Sequence, residues 1–356
     1  MKCPVCESNM STPLCACGYD ASRDHSRYPT LAPLGASVVP ISPDPRIIPV
    51  HCPDCGGTRF VYRLLEQTHT CAGCGRALTQ SQIRRLGKPR IKALAGGEFY
   101  TGIVMSNGVA AAVGADHFCQ CRLGLWTGIQ ALAFGHSHTV GLRLDGTVLC
   151  AGLNQDGNCN TQSWSGITAV SAGWTHTLGL TDKGTVVAVG ANTAGQLNVS
   201  HWRRVIAITA GSHHSVALHE DGTVSATGLD EYGQCQVQNW RKVKAIAAGI
   251  HHTVALHENG TVSIAGYAAF GLADADRWTG IQAIAAGAYH TLGLRKDGRV
   301  LAVGVADDGR LNVSSWRNIT AIAAGANHSL ALTADGRILA TGSNSAGQCD
   351  IQKLAP

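Results

Sequence analysis

Aromatic side chains make up only 5% of this 356-residue chain, and charged ones only 14%. So little charge argues against a chain held open by solvation and self-repulsion. Long apolar runs are missing too. None reaches bilayer-spanning length, so no membrane helix is expected. The opening Met-Lys-Cys-Pro-Val-Cys has no apolar stretch of signal length. The chain has neither a P-loop nor a dinucleotide fingerprint, and no nucleophile, base and orienting acid fall together in an identifiable motif. A non-enzymatic protein is therefore expected. What the chain has in excess is glycine, 43 residues, which suits tight turns around short strands.

The glycines are periodic. One follows a short apolar run at Gly97, Gly135, Gly173, Gly211, Gly249, Gly287 and Gly325, each 38 residues after the last. The repeat occupies residues 91–356, and a period of this size signals a solenoid, propeller or array. In the unit from Ile167 to Arg204, Ile167-Thr-Ala-Val-Ser-Ala-Gly173 reads as a first strand, Thr177–Asp182 as a second and Thr185–Gly190 as a third. Between the second and third stand Asn107-Gly108, Asp145-Gly146, Lys183-Gly184, Asp221-Gly222, Asn259-Gly260, Asp297-Gly298 and Asp335-Gly336. Most of these pairs supply the positive φ of a two-residue hairpin. The expectation is all-β: three main strands per unit, with room for a minimal fourth in the return segment, and seven blades closed into a propeller with no exposed sheet edge.

Phrases such as Ala-Ala-Gly-Ala-Asn-His-Ser-Leu-Ala-Leu (323–332) and Gly-Ser-Asn-Ser-Ala-Gly-Gln-Cys (342–349) resemble the RCC1 (regulator of chromosome condensation) repeat family. The short period is most similar to its bacterial branch, which includes beta-lactamase inhibitor protein II. The resemblance covers 91–356. It implies a seven-bladed propeller in which the repeated glycines, histidines and tryptophans are fold residues, and it leaves the partner open.

His138, His176, His214, His252, His290 and His328 share one repeat position, with Tyr100 in the first copy. They are read as structural, tying a buried turn through backbone hydrogen bonds. Trp126, Trp164, Trp202, Trp240, Trp278 and Trp316, with Leu354 in the seventh place, are read as covers for the joints between blades.

Recognition is expected where the scaffold repeats and the side chains change. First and third strands run the same way, so the segments after them meet on one face, opposite the Asx-Gly hairpins. On that face Phe118, Trp174, Tyr232, Phe270 and Tyr289 are candidate anchors for a protein partner. Asp230, Glu231, Asp307 and Asp308 would select a basic one.

The first 90 residues differ. Cys52-Pro-Asp-Cys55 and Cys71-Ala-Gly-Cys74 each precede glycine, and the span between them can supply a hairpin. Two such turns complete a tetrahedral sulfur site, and the unit is similar to a zinc ribbon. Cys3-Pro-Val-Cys6 and Cys15-Ala-Cys17 repeat the theme as a second, knuckle-like unit. Two structural Zn2+ ions are expected, both coordinatively closed. Residues 1–19 are read as the knuckle, 20–50 as a Pro-rich linker, 51–80 as the ribbon, 81–90 as a basic junction and 91–356 as the propeller.

Residues 1–90 hold 11 Lys/Arg against 6 Asp/Glu, while 91–356 hold 17 of each. The whole net charge of +5 thus sits in the arm. Lys2, Arg59, Arg63, Arg76, Arg84, Arg85, Lys88 and Arg90 are the candidate contacts if nucleic acid is bound. The remaining cysteines are Cys119, Cys121, Cys150, Cys159, Cys235 and Cys349. Four of them share one repeat position and so belong to different blades. Disulfides are not expected, and a reducing cytoplasm is the expected compartment. The leading reading is a protein-interaction scaffold with auxiliary zinc units; the alternative is a nucleic-acid-associated adaptor acting through the arm.

Overall fold

The computed structural model describes residues 90–354 together with the backbone of three strands, Phe60–Arg63, Thr68–Cys71 and Ala77–Thr79. Those three form an antiparallel sheet in chain order. The expected hairpin is thus present, and its register sets Phe60 opposite Cys71. The candidate ligands Cys3, Cys6, Cys15, Cys17, Cys52, Cys55 and Cys74, the linker, and the basic residues Lys2, Arg59, Arg76, Arg84, Arg85 and Lys88 lie outside the described residues. Cys71 and Arg63 are described by their backbone alone.

Residues 91–342 form seven three-stranded antiparallel sheets. The blades span 91–114, 129–152, 167–190, 205–228, 243–266, 281–304 and 319–342. In each, a six-residue inner strand pairs with a six-residue middle strand, and that with a five-residue outer strand. No fourth strand forms in the described return segments. They make turns instead, and in blade 5 a 3-10 helix, Leu272–Arg277. The inner strands neighbour one another around the ring, and that of blade 7 meets that of blade 1. Ala326 N donates to Gly97 O at 3.0 Å across this closing joint.

Each inner strand carries a register shift after its first residue. A bulge of this kind bends and twists a strand, and it turns the skipped residue outward. Ile206 occupies that place and is 51% exposed, an apolar side chain where other blades have Lys92, Thr168 or Lys244.

The core lies in the joints. Leu178, Leu180 and Val186 of blade 3 pack with Val199, Trp202, Val205 and Ala217 on the blade 4 side. Each tryptophan reaches the middle strand of the following blade. There the facing residue is small: Gly141 under Trp126, Gly179 under Trp164 and Gly293 under Trp278 would all drive a Cβ into the indole. Ala217, Ala255 and Ala331 take that place for Trp202, Trp240 and Trp316. Leu354, in the 3-10 turn Ile351–Leu354, fills the last joint against Ile103 and Met105.

The repeated histidines serve the same joints, but by a different bond from the expected one. Each Nε2 meets a hydroxyl of the next blade rather than a local backbone group: His138 to Thr177 (2.9 Å), His176 to Ser215 (3.1 Å), His214 to Thr253 (2.9 Å), His252 to Thr291 (3.1 Å) and His290 to Ser329 (3.0 Å). His328 closes the circle on Thr101 at 2.7 Å. Several of these hydroxyls donate onward to a carbonyl: Thr177 to Asn158, Ser215 to Gln196, Thr253 to Gln234 and Ser329 to Arg310. A hydroxyl has one proton to give, so in these joints it accepts from the imidazole, and the proton of the neutral ring sits on Nε2. Tyr100 does the job by reach: its hydroxyl, with one proton to give, lies 2.7 Å from His138 O and 3.0 Å from Gly135 O of blade 2.

One expectation is overturned. Cys150 and Cys159 are joined in a disulfide. Comparison of equivalent repeat positions separates Cys121, Cys159, Cys235 and Cys349 correctly, but Cys150 belongs to a different position, on the outer strand of blade 2, beside the return segment of its own blade. In the other blades that outer-strand position holds Ala or Ile. Cys121, Cys235 and Cys349 instead direct Sγ to backbone carbonyls. Burial, with a nearby aspartate, pushes the Cys121 and Cys235 thiols up to about 12 and that of Cys349 to about 11.

Candidate functional site

Inner and outer strands are both antiparallel to the middle strand, so their C-terminal ends share a face, here the exit face. The two loop sets meet there. Within blades, Leu153 N donates to Ser137 O and Tyr267 N to His251 O, both at 2.8 Å. Across blades, Tyr232 of an outer-strand loop lies against His251 of an inner-strand loop, with ring centroids 4.9 Å apart.

The inner-strand ends form a continuous ring around the channel mouth. Trp174 N donates to Ser212 O, Ile250 N to Ala288 O and Ala288 N to Ala326 O. Ser212 Oγ spans the step to Ile250 O at 2.8 Å. Blades 1 to 3 are linked by side chains: Glu98 Oε2 lies 2.9 Å from His136 Nε2, and the imidazole stands edge-on to Trp174 at 5.3 Å. His136 Nδ1 meets Ser137 Oγ at 2.7 Å. With both nitrogens occupied the ring is fixed in orientation. The hydrogen bond to Glu98 holds it above the usual histidine range, against the opposing effect of burial. Trp174 is 37% exposed and has His213 on its other side at 5.2 Å. The channel mouth between these residues is a cavity of about 170 Å³ floored by glycine and alanine.

A second aromatic group spans blades 4 to 6. Tyr232, His251, Tyr267, Phe270 and Tyr289 line one cavity of about 240 Å³. Tyr267 stands 5.3 Å from Tyr232 and 6.1 Å from both Phe270 and Tyr289. Its supports are local. Tyr232 N donates to the Oε1 of buried Gln234 at 3.0 Å, and Asp230 Oδ1 accepts from Cys235 N at 2.7 Å. These bonds fix the loop that displays the Tyr232 ring. Phe270 is held at φ 56° directly before Gly271 at φ 75°. A bulky residue with positive φ is uncommon and costs roughly 1–2 kcal/mol, yet this ring is 62% exposed.

Of the residues singled out in the sequence, Tyr232, Phe270 and Tyr289 are brought together, and Trp174 stands on the same face between two histidines. Phe118 is half-buried in the loop leaving blade 1, apart from both groups; its N–H donates to Gln120 Oε1 at 2.9 Å. Asp230, Glu231 and Asp307 are exposed. Asp308 is committed internally, accepting from Arg310 Nε and Nη2, both at 2.7 Å. His136, His213, His251 and Tyr267 were not singled out as anchors. Their signal is positional: each sits in a variable loop next to one of the chosen rings. The residues between inner and middle strands and the first four after each outer strand include no lysine or arginine, while Glu98, Asp116, Asp156, Asp230, Glu231, Asp307 and Asp308 all belong to them; further along, Arg122 and Arg310 are paired with Asp116 and Asp308. Arg90, the only basic arm residue whose side chain is described, is exposed, and its backbone pairs with Ser106 beside the first hairpin.

Among the described residues, no group of three or more His, Cys, Asp or Glu is placed to hold a metal ion, and no helix is long and apolar enough to cross a membrane. The sequence profile of the regulator of chromosome condensation (RCC1) repeat matches residues 129–158, 167–196, 205–234, 281–311 and 319–348. These are blades 2, 3, 4, 6 and 7, each with its exit loop. The propeller is RCC1-like. Solved structures agree. Prp20p from Saccharomyces cerevisiae is 17% identical, over 72% of this chain and 83% of that one, with a TM-score of 0.56. The ectodomain of the Physcomitrella patens receptor kinase CR4 is 20% identical over 72% and 74%, with a TM-score of 0.59. Human WBSCR16 is 18% identical over 68% and 81%, with a TM-score of 0.52. At these identities the likeness is one of fold. No curated protein sequence matches the chain. Blades 1 and 5 of the RCC1-like ring fall outside the matched segments. Blade 1 has Tyr100 in place of the histidine, and blade 5 has Tyr267-Ala-Ala-Phe270 in its exit loop. The exit loop departs from the repeat in the blade that supplies three of the five rings of the aromatic group, His251, Tyr267 and Phe270.

Proposed function

We propose that this chain is a non-enzymatic interaction scaffold that holds a protein partner on the exit face, with the first 90 residues as auxiliary docking elements. The observation that carries the reading is the clustering of exposed and half-exposed aromatic rings on one face, with Asp230 and Glu231 beside them and no lysine or arginine among the residues lining their cavity. Large rings set in a rigid frame are the usual anchors of protein interfaces. RCC1-like relatives give it support: Prp20p is described by its binding to Gsp1p and histones, and yeast RCC1 has been solved with Kap60. The short, uniform 38-residue period supports assignment to the bacterial branch of the repeat family.

Zinc belongs to the same proposal. The backbone register sets Cys71 opposite Phe60, and Cys55 lies five residues before Phe60. One shared tetrahedral site requires both Cys-x-x-Cys pairs at the same end of the hairpin, and Cys71 stands at the end where the first strand begins. Such a site would supply folding free energy to a unit too small for a core of its own.

The test uses the full chain as bait in nuclease-treated native lysate, beside a Trp174→Ala/Tyr232→Ala/Tyr289→Ala variant. The expected outcome is capture of a protein by the parent and at least a tenfold loss in the variant, with an unchanged urea midpoint. Equal capture by both would remove the exit face from the reading. Capture that disappears on nuclease treatment of the parent sample would transfer the function to the basic arm. Metal analysis of the same preparation should find two zinc ions per chain, and one after Cys52→Ser/Cys55→Ser.

A further inference from the structure

The five rings of blades 4 to 6 have a more specific chemistry than an apolar anchor. They form the walls of a cup, not a flat patch: Tyr232, His251, Tyr267, Phe270 and Tyr289 all face one cavity of about 240 Å³. Successive centroids are 4.9 to 6.1 Å apart and the interplanar angles run from 48° to 81°. Rings set at such angles around one cavity put several aromatic surfaces within reach of a group held at its centre. The negative face of an aromatic ring attracts a cation within about 6 Å of its centroid. A second cavity, lined by Asp230, Glu231 and Tyr232, adjoins the cup through their shared Tyr232. Glu231 lies close enough to act on the charge of His251. The cup thus has aromatic walls, an acidic lip and no lysine or arginine among the residues that line it.

We propose that this cup binds a weakly hydrated organic cation, a guanidinium or an alkylated ammonium group, presented by the protein partner. The inference rests on the exit-face reading and gives that face its chemistry. Charge complementarity selects a cation over an apolar plug. The size of the hydration shell selects among cations. The compact ammonium of unmodified lysine is strongly hydrated, whereas a guanidinium is not, so only the latter, or an ammonium wrapped in alkyl groups, gains by entering a ring-lined cavity. The left-handed backbone of Phe270 fits the same purpose. It holds a large ring out of the core, where the unbound protein gains little from it, and sets it beside Tyr267 in the wall of the cup.

Four capped amino-acid amides test the assignment on the full chain: arginine, trimethyl-lysine, lysine, and the neutral carbon isostere of trimethyl-lysine. Binding is followed by tyrosine fluorescence and by shifts of the ring resonances. Arginine or trimethyl-lysine should saturate in the millimolar range, with lysine and the neutral isostere at least tenfold weaker; the tighter of the first two identifies the source of the cation. Tyr232→Ala and Phe270→Ala should each weaken binding at least tenfold, and Tyr232→Phe, which keeps the ring, should restore it. The variants sit in exposed loops, and an unchanged urea midpoint confirms their fold. An isostere that binds as well as the cation would overturn the inference in favour of a plain apolar pocket. Failure of both cations to bind, with partner capture still lost in the Trp174/Tyr232/Tyr289 variant, would overturn it and leave the exit-face reading standing.

Discussion

At the scale of the residue, six histidines carry the consequence most open to measurement. Burial is the chief cause that pushes His138, His214 and His290 down to about 3 and His176, His252 and His328 to about 4. All are neutral in the folded ring at physiological pH. In the unfolded chain each takes a proton near its ordinary value of about 6.5. The unfolded state therefore binds more protons than the folded one between roughly pH 6.5 and pH 4. Stability is fully present above this window and is lost as pH falls through it. Each histidine contributes about 1.4 kcal/mol per pH unit once the unfolded ring is fully protonated, and six together about 8 kcal/mol per pH unit near pH 5. Urea midpoints measured from pH 7 to pH 5 should fall steeply, in a range where most carboxylates remain ionised. A flat profile would mean that these imidazoles are solvated rather than sealed in the joints. Glu98–His136 works in the opposite sense: raised by its carboxylate partner, it contributes below about pH 6.5 and fades as pH rises through the folded value. One half-buried pair cannot offset six buried rings.

The joint is the stabilising element, more than the single blade. A three-stranded sheet with six- and five-residue strands has little apolar area of its own, and its buried side chains meet those of its neighbours. Trp202, only 2% exposed, is packed on Ala217 across the joint between blades 3 and 4. Trp202→Ala should cost about 3–5 kcal/mol, the usual range for an aromatic side chain removed from a core, read as a shift of the urea midpoint. A change below about 1 kcal/mol would mean the indole is a surface cover rather than a core residue. The Trp-to-small pairing also explains what was legible in the sequence. Spacing shows strands, hairpins and blade number because these are local and repeat with the chain. The partner of each tryptophan and histidine is not local. It stands in the next blade, at positions such as Gly179 or Thr177, where glycine looks like a turn former and threonine like a strand filler. Cys150 was lost for the same reason: it has no equivalent with which to be compared. The aromatic cup was half legible. Tyr232, Phe270 and Tyr289 are visible as odd residues in variable loops, but His251 is masked by the repeat histidine beside it, and Tyr267 by the need to know which loops touch.

Across the whole molecule, closure sets one joint apart. Every other pair of blades is connected by a return segment as well as by contact, whereas blades 7 and 1 meet only through non-covalent contact. The histidine bond persists there, from His328 to Thr101, as does the backbone bond from Ala326 to Gly97. The tryptophan does not. Leu354, 4% exposed on Ile103 and Met105, takes its place with a smaller side chain. The ring should therefore open first at this joint, since regions of a fold unfold locally in order of their own contacts. Leu354→Ala removes most of what replaces the indole and should cost about 2–4 kcal/mol. The effect should be uneven. Amide exchange should accelerate in the inner strands Ile91–Gly96 and Ile319–Ala324, while blades 4 to 6 keep their protection. Because the aromatic cup is built on blades 4 to 6, on the far side of the ring, cation binding should survive the variant. Uniform acceleration around the ring would instead mean that the seven blades open as one unit, with closure no weaker than the joints bridged by the chain.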